Sequence, residues 1–166
     1  MKPYYILIFL AGFFLSCSQN SDQKIRKQVT LVAENYLMSQ LPNPQKIVSD
    51  DGLITISDDN KIYIIEPSKI FIGLIDDDTK KDAIISVLTF QGQYQTVSEQ
   101  FIILKTENGL TMVRALESDM RIISLKDRII TADVPEHSRN NPLFNCQSCW
   151  EVVNFQYKKG ELERMK

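Results

Sequence analysis

The sequence predicts an α+β fold, with one N-terminal amphipathic helix packed on a strongly bent, mainly antiparallel β-meander of about eight or nine strands. Three observations predict it. A single stripe of helical period stands near the start of the chain. Everything beyond residue 44 reads as short apolar runs separated by turn chemistry. One of those runs, residues 82–90, is apolar on both faces and calls for cover on both sides. A chain of 166 residues suits one domain with a proper core. With 43% hydrophobic and 24% charged residues it is neither collagenous, coiled-coil nor disordered. Its net charge of -2 makes it a poor nucleic-acid binder, because duplex affinity comes largely from Lys and Arg neutralising phosphates.

The first element is an address. Met1-Lys2 gives a short basic start, and residues 4–15 (YYILIFLAGFFL) carry no charge. A membrane-spanning helix needs about twenty apolar residues, so this stretch reads as a signal-peptide core. Phe14-Leu15-Ser16-Cys17, followed by the polar residues 18–22, resembles the lipobox of bacterial lipoproteins. The resemblance implies that the Cys17 thiol receives a diacylglyceryl group, that the chain is cut before it, and that fatty acid such as palmitate caps the new amine. Residues 1–16 are then a signal peptide, 17–21 a lipidated N-terminus with a short spacer, and 22–166 one globular domain. Two or three acyl chains anchor stably where one does not. The expected place is the cell envelope, held to the membrane through the lipid. Ser18 resembles the pattern sent on to the outer membrane, facing the periplasm or the cell surface.

The folded body begins with Ile25, Val29, Val32 and Tyr36, spaced 4, 3 and 4 apart and widened by Ala33, Leu37 and Leu41. This predicts a helix over 22–41 with one buried face, capped by Ser21 or Asp22 and stopped by Pro42-Asn43-Pro44. Strands are expected at 53–57 and 61–66 around Asp58-Asp59-Asn60, and at 69–75 and 82–90 around an acidic loop. Further strands are expected at 99–106 and 110–115 around Asn108-Gly109, and at 121–125 and 128–132 around Lys126-Asp127. The last pair is 150–157 and 161–165 around Lys158-Lys159-Gly160. Residues 135–147 form the longest stretch without a pattern.

The acidic loop is the first candidate site. Calcium takes six to eight oxygen ligands, and alternating carboxylates on a tight loop can wrap it. Asp76, Asp78 and Asp82 have that spacing and resemble the calcium loop of FG-GAP and VCBS repeats, matching its third, fifth and ninth positions. Leu74 stands in place of the first Asp and Thr79 in place of the turn Gly. The resemblance implies calcium binding of millimolar class at best, against a plain solvated turn.

The second candidate is Cys146-Gln147-Ser148-Cys149-Trp150, which holds the thiols left once Cys17 is acylated. In an exported protein an even pair most simply closes as a disulfide. A redox pair, a zinc site and a Cys–His dyad remain open alternatives, with His137 the sole histidine for the last two. From residue 70 to 164 the chain also resembles an exported bacterial family of uncharacterised function. That family has an Asp-rich strand pair ending in Asp-Ala, a run of strands, a Pro-containing loop with paired cysteines, and a closing Gly-x-Leu. The stretch from Asp76 to Ala83, Asn141-Pro142, Cys146 and Cys149, the strand residues Phe155-Gln156-Tyr157, and Gly160-Glu161-Leu162 carry the resemblance here. It implies fold and location and brings no activity.

No catalytic constellation stands out. The chain has no Gly-rich phosphate loop and no G-x-S-x-G elbow, and Glu34, Glu117 and Asp119 read as solvated surface. The leading expectation is a non-enzymatic envelope lipoprotein that presents a binding surface to another envelope protein or a glycan. Phe144, Trp150 and Tyr157 are its candidate contacts, with core packing expected for at least two of them. The competing classes are an immunity-type protective lipoprotein of the periplasm and a thiol-disulfide protein using Cys146 and Cys149.

Overall fold

The computed structural model describes residues 4–91, 95–117, 120–135 and 150–166, with the side chains of its helix from residue 21 onward. Helix α1 spans Tyr4–Ser39. Ten strands follow: β1 Gln45–Val48, β2 Ile54–Ser57, β3 Lys61–Gly73, β4 Asp82–Gln91, β5 Gln95–Thr106, β6 Gly109–Glu117, β7 Arg121–Lys126, β8 Ile129–Pro135, β9 Trp150–Lys158 and β10 Glu161–Arg164. They form two antiparallel sheets, one of six strands in the order β1-β2-β3-β4-β5-β6 and one of four in the order β10-β9-β8-β7.

The α+β class holds, but the strands do not lie in one bent meander of eight or nine. The break falls between β6 and β7. Met120 is buried there, and its carbonyl accepts a hydrogen bond from the buried Gln100 side chain of β5, 3.1 Å away. The chain thus leaves the edge of the first sheet and passes beneath it to start a second layer. Burial requires this, because β4 is apolar on both faces. Ala83, Ile85 and Val87 join Val29, Ala33 and Leu37 of α1 in one core. Ile84 turns the other way and packs with Ile122, Ile130 and Ala132 of the second sheet. The result is three layers, helix on sheet on sheet.

α1 runs back to Tyr4 rather than starting at residue 22, so neither Ser21 nor Asp22 caps it. Asp22 instead accepts a hydrogen bond from Lys81 Nζ at 2.6 Å. The buried stripe is as the spacing predicts, with Tyr36 meeting Phe101 edge-on at 5.3 Å between ring centroids. Glu34 departs from a solvated reading. It is buried, and the Lys46 ammonium of β1 covers it. The segment β1, which sequence pattern missed, is a fully exposed edge strand with no alternation to betray it.

Two expected strands, 61–66 and 69–75, are one strand interrupted by a register shift between Ile65 and Ile70. Pro67 has no N–H for the ladder, so the chain bulges there and resumes. Arg26 of α1 donates to the carbonyls of Pro67 (2.6 Å) and Ile70 (2.8 Å), which ties the helix to the bulge. The turn expected at Lys126-Asp127 falls one residue later. Lys126 pairs with Ile129, and Asp127 and Arg128 occupy the turn with φ of 52° and 63°. That shift takes Arg128 out of the strand.

Candidate functional site

The structure brings Asp76, Asp78 and Asp82 together, with one carboxylate oxygen of each within 4.8 Å of the others. The loop between β3 and β4 is wound by its own backbone. Asp76 Oδ1 accepts from the Asp78 N–H at 2.9 Å, and Asp78 Oδ1 accepts from the Lys80 N–H at 2.6 Å. Asp82 is fully buried at the start of β4. Its Oδ2 accepts the Ile75 N–H at 2.9 Å and its Oδ1 the Lys105 N–H at 2.8 Å. One carboxylate therefore joins the incoming loop to the end of β5. Burial raises its pKa above the ordinary carboxylate value, against the two backbone hydrogen bonds that lower it, and the nearby Asp76 charge raises it further.

The loop's carbonyls have a cation already. Arg128 Nε donates to the Asp76 carbonyl at 2.6 Å, and Nη2 reaches those of Asp78 at 3.1 Å and Asp77 at 3.4 Å. Sequence reasoning placed Arg128 in a strand and did not connect it to the loop, 50 residues away in the chain. Its only local signal is the position beside Asp127. The arrangement fastens the second sheet to the first: the carbonyls a calcium ion could draw on are engaged by a guanidinium, and each Asp82 oxygen is bonded to backbone.

A second site lies where the four-stranded sheet stops covering the six-stranded one. A cleft of about 390 Å³ opens there, lined by Leu53, Ile64, Glu66, Lys69, Phe71, Ser86 and Leu88 from the first sheet and its approach, and by Met120, Arg121 and Ile122 from the start of β7. It falls within the usual size range of small-molecule sites, about 300–1,000 Å³. Strand register explains its apolar wall. Ile47, Thr55, Ile64 and Leu88 stand opposite one another across β1, β2, β3 and β4, so they share one face. Ile62 and Phe90 form the adjacent row on that face. Exposure there is high for large apolar residues: Ile47 62%, Leu88 43% and Ile62 41%. Half of this sheet face is thus core and half is uncovered.

Arg121 begins β7, and its guanidinium lies 4.1 Å above the Trp150 ring. Register sets it opposite Asp133, and Asp133 opposite Val152, on the face of the four-stranded sheet away from Ile122. Trp150 and Tyr157, both expected as contacts, are seven residues apart on the regular strand β9, so they point to opposite faces. Tyr157 packs half-buried against the second core, and burial raises its pKa, with Arg114 lowering and Asp76 raising it less. Phe144, Cys146, Cys149 and His137 lie outside the described residues, as does the Cys17 side chain. Nothing in the sequence pattern pointed to Lys69 or Arg121. Comparison of the chain with family models, with curated proteins and with solved structures found no match.

Proposed function

We propose that this chain is a lipid-anchored, non-enzymatic binding protein of the bacterial cell envelope, placed at the outer membrane, whose ligand site is the cleft between its two sheets. The anchoring half of the reading rests on the uncharged run at 4–15 and the Cys17 that follows it. The binding half rests on one observation: the cleft continues into an uncovered row of apolar side chains instead of closing into core. Contiguous exposed apolar surface of this kind marks interaction sites in folded proteins. The one carboxylate cluster among the described residues holds the acidic loop to the sheets.

Two variants test the two halves. Cys17→Ala is expected to release the protein from the membrane fraction, and unchanged retention overturns the anchor. N-phenyl-1-naphthylamine, a neutral apolar fluorophore, is expected to brighten on binding the wild-type cleft and to lose at least tenfold in affinity with Leu88→Glu. Leu88 is partly exposed, so the fold tolerates the charge. Absent or variant-independent binding overturns the cleft.

A further inference from the structure

We infer that β1 is a self-association edge: a second copy of this chain pairs with it antiparallel, about a two-fold axis through Ile47. β1 ends one side of the six-stranded sheet, and no strand among the described residues pairs with its outer edge. The direction of its backbone groups follows from its turn. The Ser49 N–H donates to the Leu53 carbonyl at 3.0 Å, in the same register that sets Ile47 opposite Thr55 and Gln45 opposite Ser57. Hydrogen-bonded pairs alternate along an antiparallel ladder, so Gln45 and Ile47 bond inward to β2 as Ser49 does to Leu53. Lys46 and Val48 therefore aim their N–H and C=O groups outward, along a strand whose 4 residues are all exposed.

This edge complements itself in one register. A two-fold axis normal to the sheet sets like face beside like face, so odd-numbered residues meet odd-numbered ones. Centring on Lys46 would set two lysines opposite each other and bring Val48 against Pro44, which has no N–H to give. Centring on Val48 would carry Lys46 against Asp50, inside the turn that the Gly52 N–H closes on the Ser49 carbonyl at 2.9 Å. Centring on Ile47 sets Lys46 against Val48 of the second copy, and every outward N–H and C=O of the two residues finds a partner. Charge permits this. A lysine on an edge strand commonly repels a further strand, but Lys46 is drawn to Glu34 of α1. The edge strand β10 is defended instead, with Glu161, Glu163 and Arg164 exposed. On the uncovered face Ile47, 62% exposed, meets Ile47 of the second copy, and the apolar rows of both copies run together. So short a strand buries far less than the about 1,600 Å² of a standard interface, and the dimer is transient.

Photo-cross-linking captures such a dimer. p-Benzoylphenylalanine in place of Gln45 of the full-length protein is expected to link to residues 48–50 of a second copy, read by mass spectrometry of the dimer band. Val48→Pro deletes an N–H that has no acceptor among the described residues. Ile47→Lys sets like charges face to face across the axis. Each is expected to cut the cross-linked dimer about tenfold or more and to move the thermal unfolding midpoint by less than about 2 °C. Should Val48→Pro fail to fold, Ile47→Lys decides alone. The same photoprobe in place of Ile62, on the same face but within the sheet, is expected to give no dimer. Absence of a dimer from position 45, a link outside 48–50, or a yield that survives either folded variant overturns the inference. So does an equal yield from position 62, the mark of copies stacked face to face.

Discussion

Replacing Asp82 by Asn changes one atom and separates the role of its charge from that of its shape. In the wild type each carboxylate oxygen accepts a backbone N–H, from Ile75 and from Lys105, in a fully buried position. The amide can offer its oxygen to one of them, and its NH2 then faces the other. One buried donor loses its acceptor, at a cost of about 1–3 kcal/mol. Asp82→Ala orphans both and costs about twice as much, a large share of the ~5–15 kcal/mol that holds a domain together. The pH dependence has a definite sign. The folded protein raises the Asp82 pKa, so it takes up a proton before the unfolded chain does. This group's contribution is fully present below the ordinary carboxylate value of 3.8 and is lost as pH rises through the raised one. The stability gap between wild type and Asp82→Asn should therefore be larger near pH 4 than at pH 7. Urea unfolding of both proteins at a series of pH values measures it, with equal m-values as the check on a common unfolding reaction. A gap under about 0.5 kcal/mol at every pH, the level of an ordinary surface change, refutes the reasoning. So does a gap that widens with rising pH.

Arg128→Ala removes the guanidinium that bridges the loop carbonyls and should lower stability by about 2 kcal/mol. Arg128→Gly should cost about 1 kcal/mol less, because φ of 63° no longer opposes a Cβ; equal losses in thermal unfolding would contradict the strained turn. Gly73→Ala places a Cβ 2.9 Å from Leu125 Cγ where the sheets meet, and should destabilise by about 1–3 kcal/mol. Adding Leu125→Ala in the same chain should recover part of that loss, and strict additivity of the two changes would show that the sheets do not touch there. Calcium is expected to bind no more tightly than the millimolar range. Arg128 and the backbone donors already engage the loop carbonyls and Asp82, and a micromolar dissociation constant by calorimetry would overturn that account.

Local chemistry was legible where the signal itself is local. Val29, Ala33 and Leu37 announce a helix face by spacing alone, and they are buried as expected. Asp58 Oδ1 accepts the N–H groups of Asn60 and Lys61 in the expected hairpin turn. The continuous apolar run within 82–90, without alternation, correctly called for cover on two sides. The chain also placed Asp76, Asp78 and Asp82 near each other, since six residues in one loop can hardly be far apart.

Long-range partners were not legible. A period of two says that Ile64 and Leu88 face away from the helix, but not whether another layer lies over them. The chain leaves the sheet beside Met120 and covers only half of that face, and this decides that Ile84 is core while Leu88 borders a cleft. A one-residue shift of a turn decided that Arg128 clamps the acidic loop instead of lying in a strand. Patterning of neighbours along the chain determined the elements and their buried sides. The site came from the stacking of sheets, because covering apolar area rewards many arrangements about equally, and the choice among them depends on contacts between residues dozens of positions apart.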